Sequence, residues 1–166
     1  MPVPSAKLWR YPRSRDATSF DTLSGRVTAL RKRAPVEDQI ANETVLLVED
    51  EPSIRQLMRR MLAGQGYMML EARNGAEALG VAESHPTPIH LLLTDVVMPS
   101  MGGFTLAARL QALRSETRVL FLSGHAQDSA KVRDGLEKSR HAFLLKPFTQ
   151  DALREKIRDV IDGVDA

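Results

Sequence analysis

The stretch TVLLVEDEP at residues 44–52 decides the fold. Thr44 to Val48 is an unbroken β-branched and leucine run, the mark of a strand buried on both faces, as in a parallel sheet covered by helices. Glu49-Asp50-Glu51 ends the apolar run. Pro52 then sits where the first turn of a helix tolerates it, with Glu51 placed to cap that helix.

The same order recurs along the chain. Ile54, Leu57, Met58, Met61 and Leu62 follow at helical spacing until Gly64 and Gly66 end the helix. Tyr67 to Glu71 reads as a second strand, followed by an Asn74-Gly75 turn and a helix carrying Ala76, Leu79 and Val81. A third strand, Ile89 to Thr94, runs into Asp95, and its helix spans Gly103 to Leu113 with Phe104, Leu106, Ala107 and Leu110 on one side. Arg118 to Leu122 leads into Ser123-Gly124, then a polar helix over Ser129 to Lys138 with Val132 and Leu136 as its main anchors. Ala142 to Leu145 leads into Lys146-Pro147. The last helix, Asp151 to Val160, turns Leu153, Ile157, Val160 and Ile161 inward.

Five β-α units in about 120 residues predict an α/β, doubly wound three-layer sandwich with a parallel sheet. In such sheets the ligand site lies beyond the carboxyl ends of the strands, where the strand order reverses. Glu49-Asp50-Glu51, Asp95, Ser123-Gly124 and Lys146-Pro147 all stand at those ends. Asp50, Asp95 and Glu49 brought together would repel one another, and a hard, oxygen-seeking ion such as Mg2+ with retained waters relieves that repulsion. Lys146 is the natural counter-charge, a mobile point charge suited to a transferring phosphoryl group. Ser123 can donate a hydrogen bond to a phosphoryl oxygen. Asp95 is then the nucleophile, attacking phosphorus in line.

Whole-chain properties narrow the classes. The 166 residues are 43% apolar and 27% charged, which suits one globular domain with a tail. There is no cysteine, which excludes disulfides, thiolate catalysis and Cys-based metal sites. His85, His90, His125 and His141 lack metal-ligand spacing, which argues against zinc. Apolar stretches such as Ile89 to Leu93 are too short to span a bilayer, and the N-terminus lacks the apolar core of a secretory signal, so a cytoplasmic protein without membrane insertion is expected. The net charge of +2 is uneven: residues 1–36 carry eight Lys/Arg against two acids, and the other 130 residues carry 15 against 19. Residues 1–42 therefore read as a basic, flexible N-terminal extension and residues 43–164 as the folded domain. A short helix from Asp21 to Lys32 is compatible with that extension, and Trp9 and Tyr11 among basic residues are too few to make a nucleic-acid module.

The motifs VLLVEDE at 45–51, LLLTDVVMPSMGG at 91–103, LFLSGH at 120–125 and FLLKPF at 143–148 resemble the receiver domain of two-component response regulators. Together they cover roughly 70% of the chain and are specific as a set, whereas each alone is weak. The resemblance implies a flavodoxin-like (βα)5 fold with strand order 2-1-3-4-5. It implies that Glu49 and Asp50 position Mg2+, that Asp95 is the phosphoacceptor, and that the Val97 backbone carbonyl completes the metal shell. It further implies that Ser123 is the switch hydroxyl, Phe143 the switch aromatic, and Lys146, before a cis Pro147, the group that binds phosphoryl. The implied donor is a phosphohistidine on a histidine kinase or histidine phosphotransfer protein. The SGH stretch is similar to receivers at the C-termini of hybrid histidine kinases, although no kinase segment is present here. The expected role is that of a phosphoacceptor switch with self-catalysed phosphotransfer and autodephosphorylation, not a dedicated enzyme. Its output passes through the face formed by the fourth helix, strand five and the fifth helix, to a downstream protein or a homodimer.

Two positions depart from the commonest receiver pattern. Val97, two residues after the acceptor, replaces the polar side chain that in many members orients the hydrolytic water. His125, two after Ser123, either holds that water or faces solvent. Three other classes stay open: an unphosphorylated receiver-like scaffold, a tail-driven nucleic-acid binder, and an aspartyl-nucleophile phosphatase of the haloacid-dehalogenase kind. The last requires a second Asp where Val97 stands. No output domain follows Ala166, so function is expected through protein contacts, phosphate relay or the basic tail.

Overall fold

The computed structural model describes residues 43–124 and 141–164. The extension 1–42, the helix expected over 129–138 and His125 lie outside the described residues. The elements are β1 (Thr44–Val48), α1 (Pro52–Leu62), β2 (Met68–Ala72), α2 (Gly75–Ser84), β3 (Leu91–Asp95), α3 (Gly103–Leu113), β4 (Arg118–Ser123), β5 (Ala142–Leu145) and α4 (Gln150–Asp162). All neighbouring strands run parallel in the order β2-β1-β3-β4-β5, the flavodoxin-like arrangement. Among the described residues four helices appear, where five were expected.

The sheet is covered on both faces because its central strands β1, β3 and β4 are apolar through their middles, with polar residues only toward their ends. On one face Leu46, Leu92, Val119 and Phe121 pack beneath Ala78 and Ala82 of α2 and Leu106 and Leu110 of α3. On the other, Leu47, Leu91, Leu93 and Leu120 meet Met58 and Leu62 of α1 and Leu153, Ile157 and Val160 of α4. Truncating any of these buried leucines to Ala costs about 2–5 kcal/mol.

Local signals account for the helix starts. Glu51 caps α1, accepting from the Ser53 amide and, at 3.0 Å, from its hydroxyl. Thr149 caps α4 through the Ala152 amide. Asn74, expected in a turn, is instead the N-cap of α2: it accepts from the Glu77 amide at 2.9 Å while Glu77 reaches back to the Arg73 amide, a reciprocal cap that begins the helix at once. Leu57 is half exposed and Ala76 is exposed, because each lies on the outer side of its helix. Strand β2 starts one residue later than expected, at Met68, whose amide bonds the Glu43 carbonyl. No helix among the described residues is long and apolar enough to cross a membrane.

Candidate functional site

Register brings the four polar strand ends to one level. Val48 pairs with Thr94, Asp95 with Leu122, and Ser123 with Leu145, so Glu49, Asp95, Ser123 and Lys146 leave β1, β3, β4 and β5 along one edge. The Lys146 amide extends the ladder by donating to the Ser123 carbonyl at 2.7 Å, and the Lys146–Pro147 peptide is cis, as the resemblance implies.

The Lys146 ammonium is the centre of the site. Its Nζ lies 2.7 Å from Asp95 Oδ2 and 3.2 Å from Glu49 Oε2, donating to both. Glu49 is only 2% exposed, and a carboxylate so far out of water requires this compensation. Burial on its own would lower the Lys146 pKa. The hydrogen bond and charge of Asp95, joined by those of Glu49, outweigh it and hold the ammonium above its ordinary value. Each carboxylate is also fixed by one backbone amide: Asp95 Oδ1 accepts from Val97 and Glu49 Oε1 from Glu51, both at 3.2 Å.

Around this core the remaining expected residues fall in different settings. Asp50 is exposed beside Glu49, and Val97 is 71% exposed. Ser123 is buried, its hydroxyl donating to the adjacent Gly124 carbonyl at 2.9 Å, a local bond that a better acceptor can replace. Phe143 is partly buried, its ring stacked on Phe121 at 5.1 Å and tilted against Phe104 at 6.2 Å. It thus packs on the aromatic side chains of the core.

The donor set bears on which cation fits. Among the described residues no three His, Cys, Asp or Glu side chains form a group able to hold a metal unaided. Glu49, Asp50 and Asp95, at adjacent strand ends, offer oxygen donors only. That combination suits Mg2+, which keeps several waters and needs only one or two carboxylates, and does not suit zinc.

One neighbour of these residues was not foreseen. Arg55 of α1 donates from Nη1 to the Glu49 backbone carbonyl at 2.6 Å, and its Nε lies 3.9 Å from the Glu71 carboxylate on β2. No sequence signal marks this contact, because the acceptor is a backbone group.

Comparison with known proteins agrees with this fold. The family model described as "Response regulator receiver domain" matches residues 45–158. "Sensor kinase CckA" of Brucella abortus (strain 2308) is 34% identical over 135 residues, covering 81% of this chain and 14% of that protein. "Response regulator GtcR" of Aneurinibacillus migulanus is 34% identical over 107 residues, covering 64% of this chain and 43% of that one. The chain thus spans less than half the length of either curated relative. The crystal structure of the receiver domain from the hybrid histidine kinase CckA superposes with a TM-score of 0.58 at 33% identity, covering 71% of this chain and 98% of that one.

Proposed function

The chain belongs to the response regulator receiver domain family, whose members work with histidine kinases or phosphotransfer proteins, and on that premise we propose that Asp95 accepts a phosphoryl group from a phosphohistidine. The observation that supports this most is the single ammonium of Lys146 shared between Asp95 and Glu49. In the transfer, the N–P bond of the donor breaks, an O–P bond forms on the Asp95 carboxylate, and the imidazole leaves with the electron pair and takes up a proton. The product is an aspartyl phosphate.

The chain's own residues divide the work. The Val97 amide and Lys146 hold one oxygen each of Asp95, which fixes the carboxylate for in-line attack. As phosphorus arrives, Lys146 exchanges a carboxylate oxygen for a phosphoryl oxygen, which its flexible stem allows. Glu49, Asp50, Asp95 and the Val97 carbonyl would hold Mg2+, which when bound neutralises charge on the phosphoryl oxygens. Ser123 exchanges its weak local acceptor, the Gly124 carbonyl, for a phosphoryl oxygen, and that movement beside Phe121 and Phe143 is the switch. The changed surface includes β5, where Leu145 is 58% exposed, and α4; a downstream protein or a second copy reads it.

Incubation with a small phosphodonor and Mg2+ tests the proposal. The wild-type chain should become labelled and Asp95→Asn should not. Equal labelling of the two would refute it.

A further inference from the structure

We propose that Arg55 is a positioning residue for the acid pair: by holding the Glu49 carbonyl it sets the direction of Glu49 and Asp50 and thereby the site's affinity for a divalent cation. The inference rests on the phosphoacceptor reading of the site.

Successive side chains of a strand point to opposite faces, yet both acids must serve one site. The turn after β1 therefore needs a fixed, non-strand peptide orientation between them. The Glu49 carbonyl belongs to the peptide that joins the two acids. Its capture by Arg55 Nη1 at 2.6 Å constrains the dihedrals on either side of that peptide. The Arg55 side chain is itself held: it is 20% exposed and its Nε faces Glu71 Oε2 at 3.9 Å, while Arg59 Nη1 approaches the other Glu71 oxygen at 3.7 Å. Glu71 lies on β2, one residue before Ala72, whose carbonyl accepts from the Glu49 amide at 3.2 Å. The turn is therefore gripped from two sides, by the edge strand through its amide and by Arg55 through its carbonyl. Glu71 also balances the guanidinium charge, so Arg55 can orient the acids from behind with less repulsion of an incoming cation. A planar fork with two fixed donors suits this double attachment, and a lysine ammonium does not reproduce it.

Calorimetric titration of the full chain with MgCl2, alongside labelling by a small phosphodonor over a range of Mg2+ concentrations, tests the assignment. Arg55→Met should weaken Mg2+ binding about tenfold, the scale seen when partners of metal-ligating groups are removed. Labelling at saturating Mg2+ should be unchanged. Arg55→Lys should recover part of the affinity, and Glu71→Gln should weaken binding in the same direction. Arg73→Met, which removes the exposed partner of Glu77, should have no effect. Equal affinity in wild type and Arg55→Met would overturn the role of Arg55 and leave the site reading intact, whereas absence of Mg2+ binding by the wild type would overturn both. Labelling lowered at every Mg2+ concentration, together with a lower melting temperature, would mean a structural role and overturn the proposal. Should Arg55→Met fail to fold, Glu71→Gln decides: wild-type affinity there overturns it.

Discussion

The two ends of the sheet use the same kinds of side chain for opposite purposes. At the amino end, Arg114 donates to the Ala82 carbonyl at 2.8 Å, to that of Thr87 at 3.0 Å, and to that of His85, closing the C-terminus of α2. Arg118 donates to the Val160 carbonyl at 2.9 Å in the last turn of α4, and the Thr117 hydroxyl, fully buried, donates to Ile89 at 2.8 Å. At the carboxyl end Lys146 donates to carboxylates instead. A peptide carbonyl neither titrates nor accepts a phosphoryl group under ordinary conditions, so a cation bound to one has a permanent partner. A carboxylate does both. For these three cations it is the chemistry of the acceptor, not of the cation, that separates the structural contacts of Arg114 and Arg118 from the site proposed around Lys146.

The contrast can be broken at either end. The largest effect belongs to Asp95→Asn, which should abolish labelling yet leave the melting temperature at or above that of the wild type, because Lys146 keeps Glu49 and one of two facing carboxylates loses its charge. Marked destabilisation there would make the carboxyl end structural too. Next, Arg114→Ala should destabilise the domain by about 3 kcal/mol in urea unfolding, since three carbonyls lose a charged donor, while labelling per folded molecule stays unchanged. Impaired labelling at full stability would reverse the assignment of the two ends.

A smaller effect should appear in alkali. The folded-state pKa of Lys146 is raised, so its contribution to stability is fully present below its ordinary value of 10.5 and is lost as pH rises through the raised value. Lys146→Met should remove that part of the alkaline loss, and unfolding curves of identical pH slope would contradict it. The smallest change is kinetic: Val97→Asn should quicken decay of the phosphorylated protein by giving the hydrolytic water a polar partner, and an unchanged rate would sink the idea.

The carboxyl end was legible in the sequence because its residues interrupt apolar runs. Glu49, Ser123 and Lys146 stand out as polar groups directly after continuous Val/Leu/Phe segments, and Asp95 after such a segment and Thr94, and parallel pairing leaves them no other place to meet. The amino end was not legible. Arg114 and Arg118 act on backbone carbonyls 32 and 42 residues away, and carbonyls carry no sequence label. Arg55 escaped notice for the same reason. Helical spacing did not show that Leu57 and Ala76 face outward, because a hydrophobic residue near the edge of a helical stripe fits either side, and only packing decides. The aromatic bed that Phe104 and Phe121 make for the Phe143 ring was not legible either, because the three residues lie far apart in the sequence.

Gly103 gives the site a direction. A methyl group on its α-carbon would lie 2.3 Å from the Asp95 carbonyl oxygen, and its amide donates to the Val96 carbonyl at 2.9 Å. Backbone therefore rests on backbone where α3 begins, with no side chain between them to yield. On this side the Asp95 backbone is braced like a beam against its abutment, so a phosphoryl group accepted as proposed should displace its surroundings toward β4 and β5, where its neighbours are a serine hydroxyl and a lysine stem that can turn.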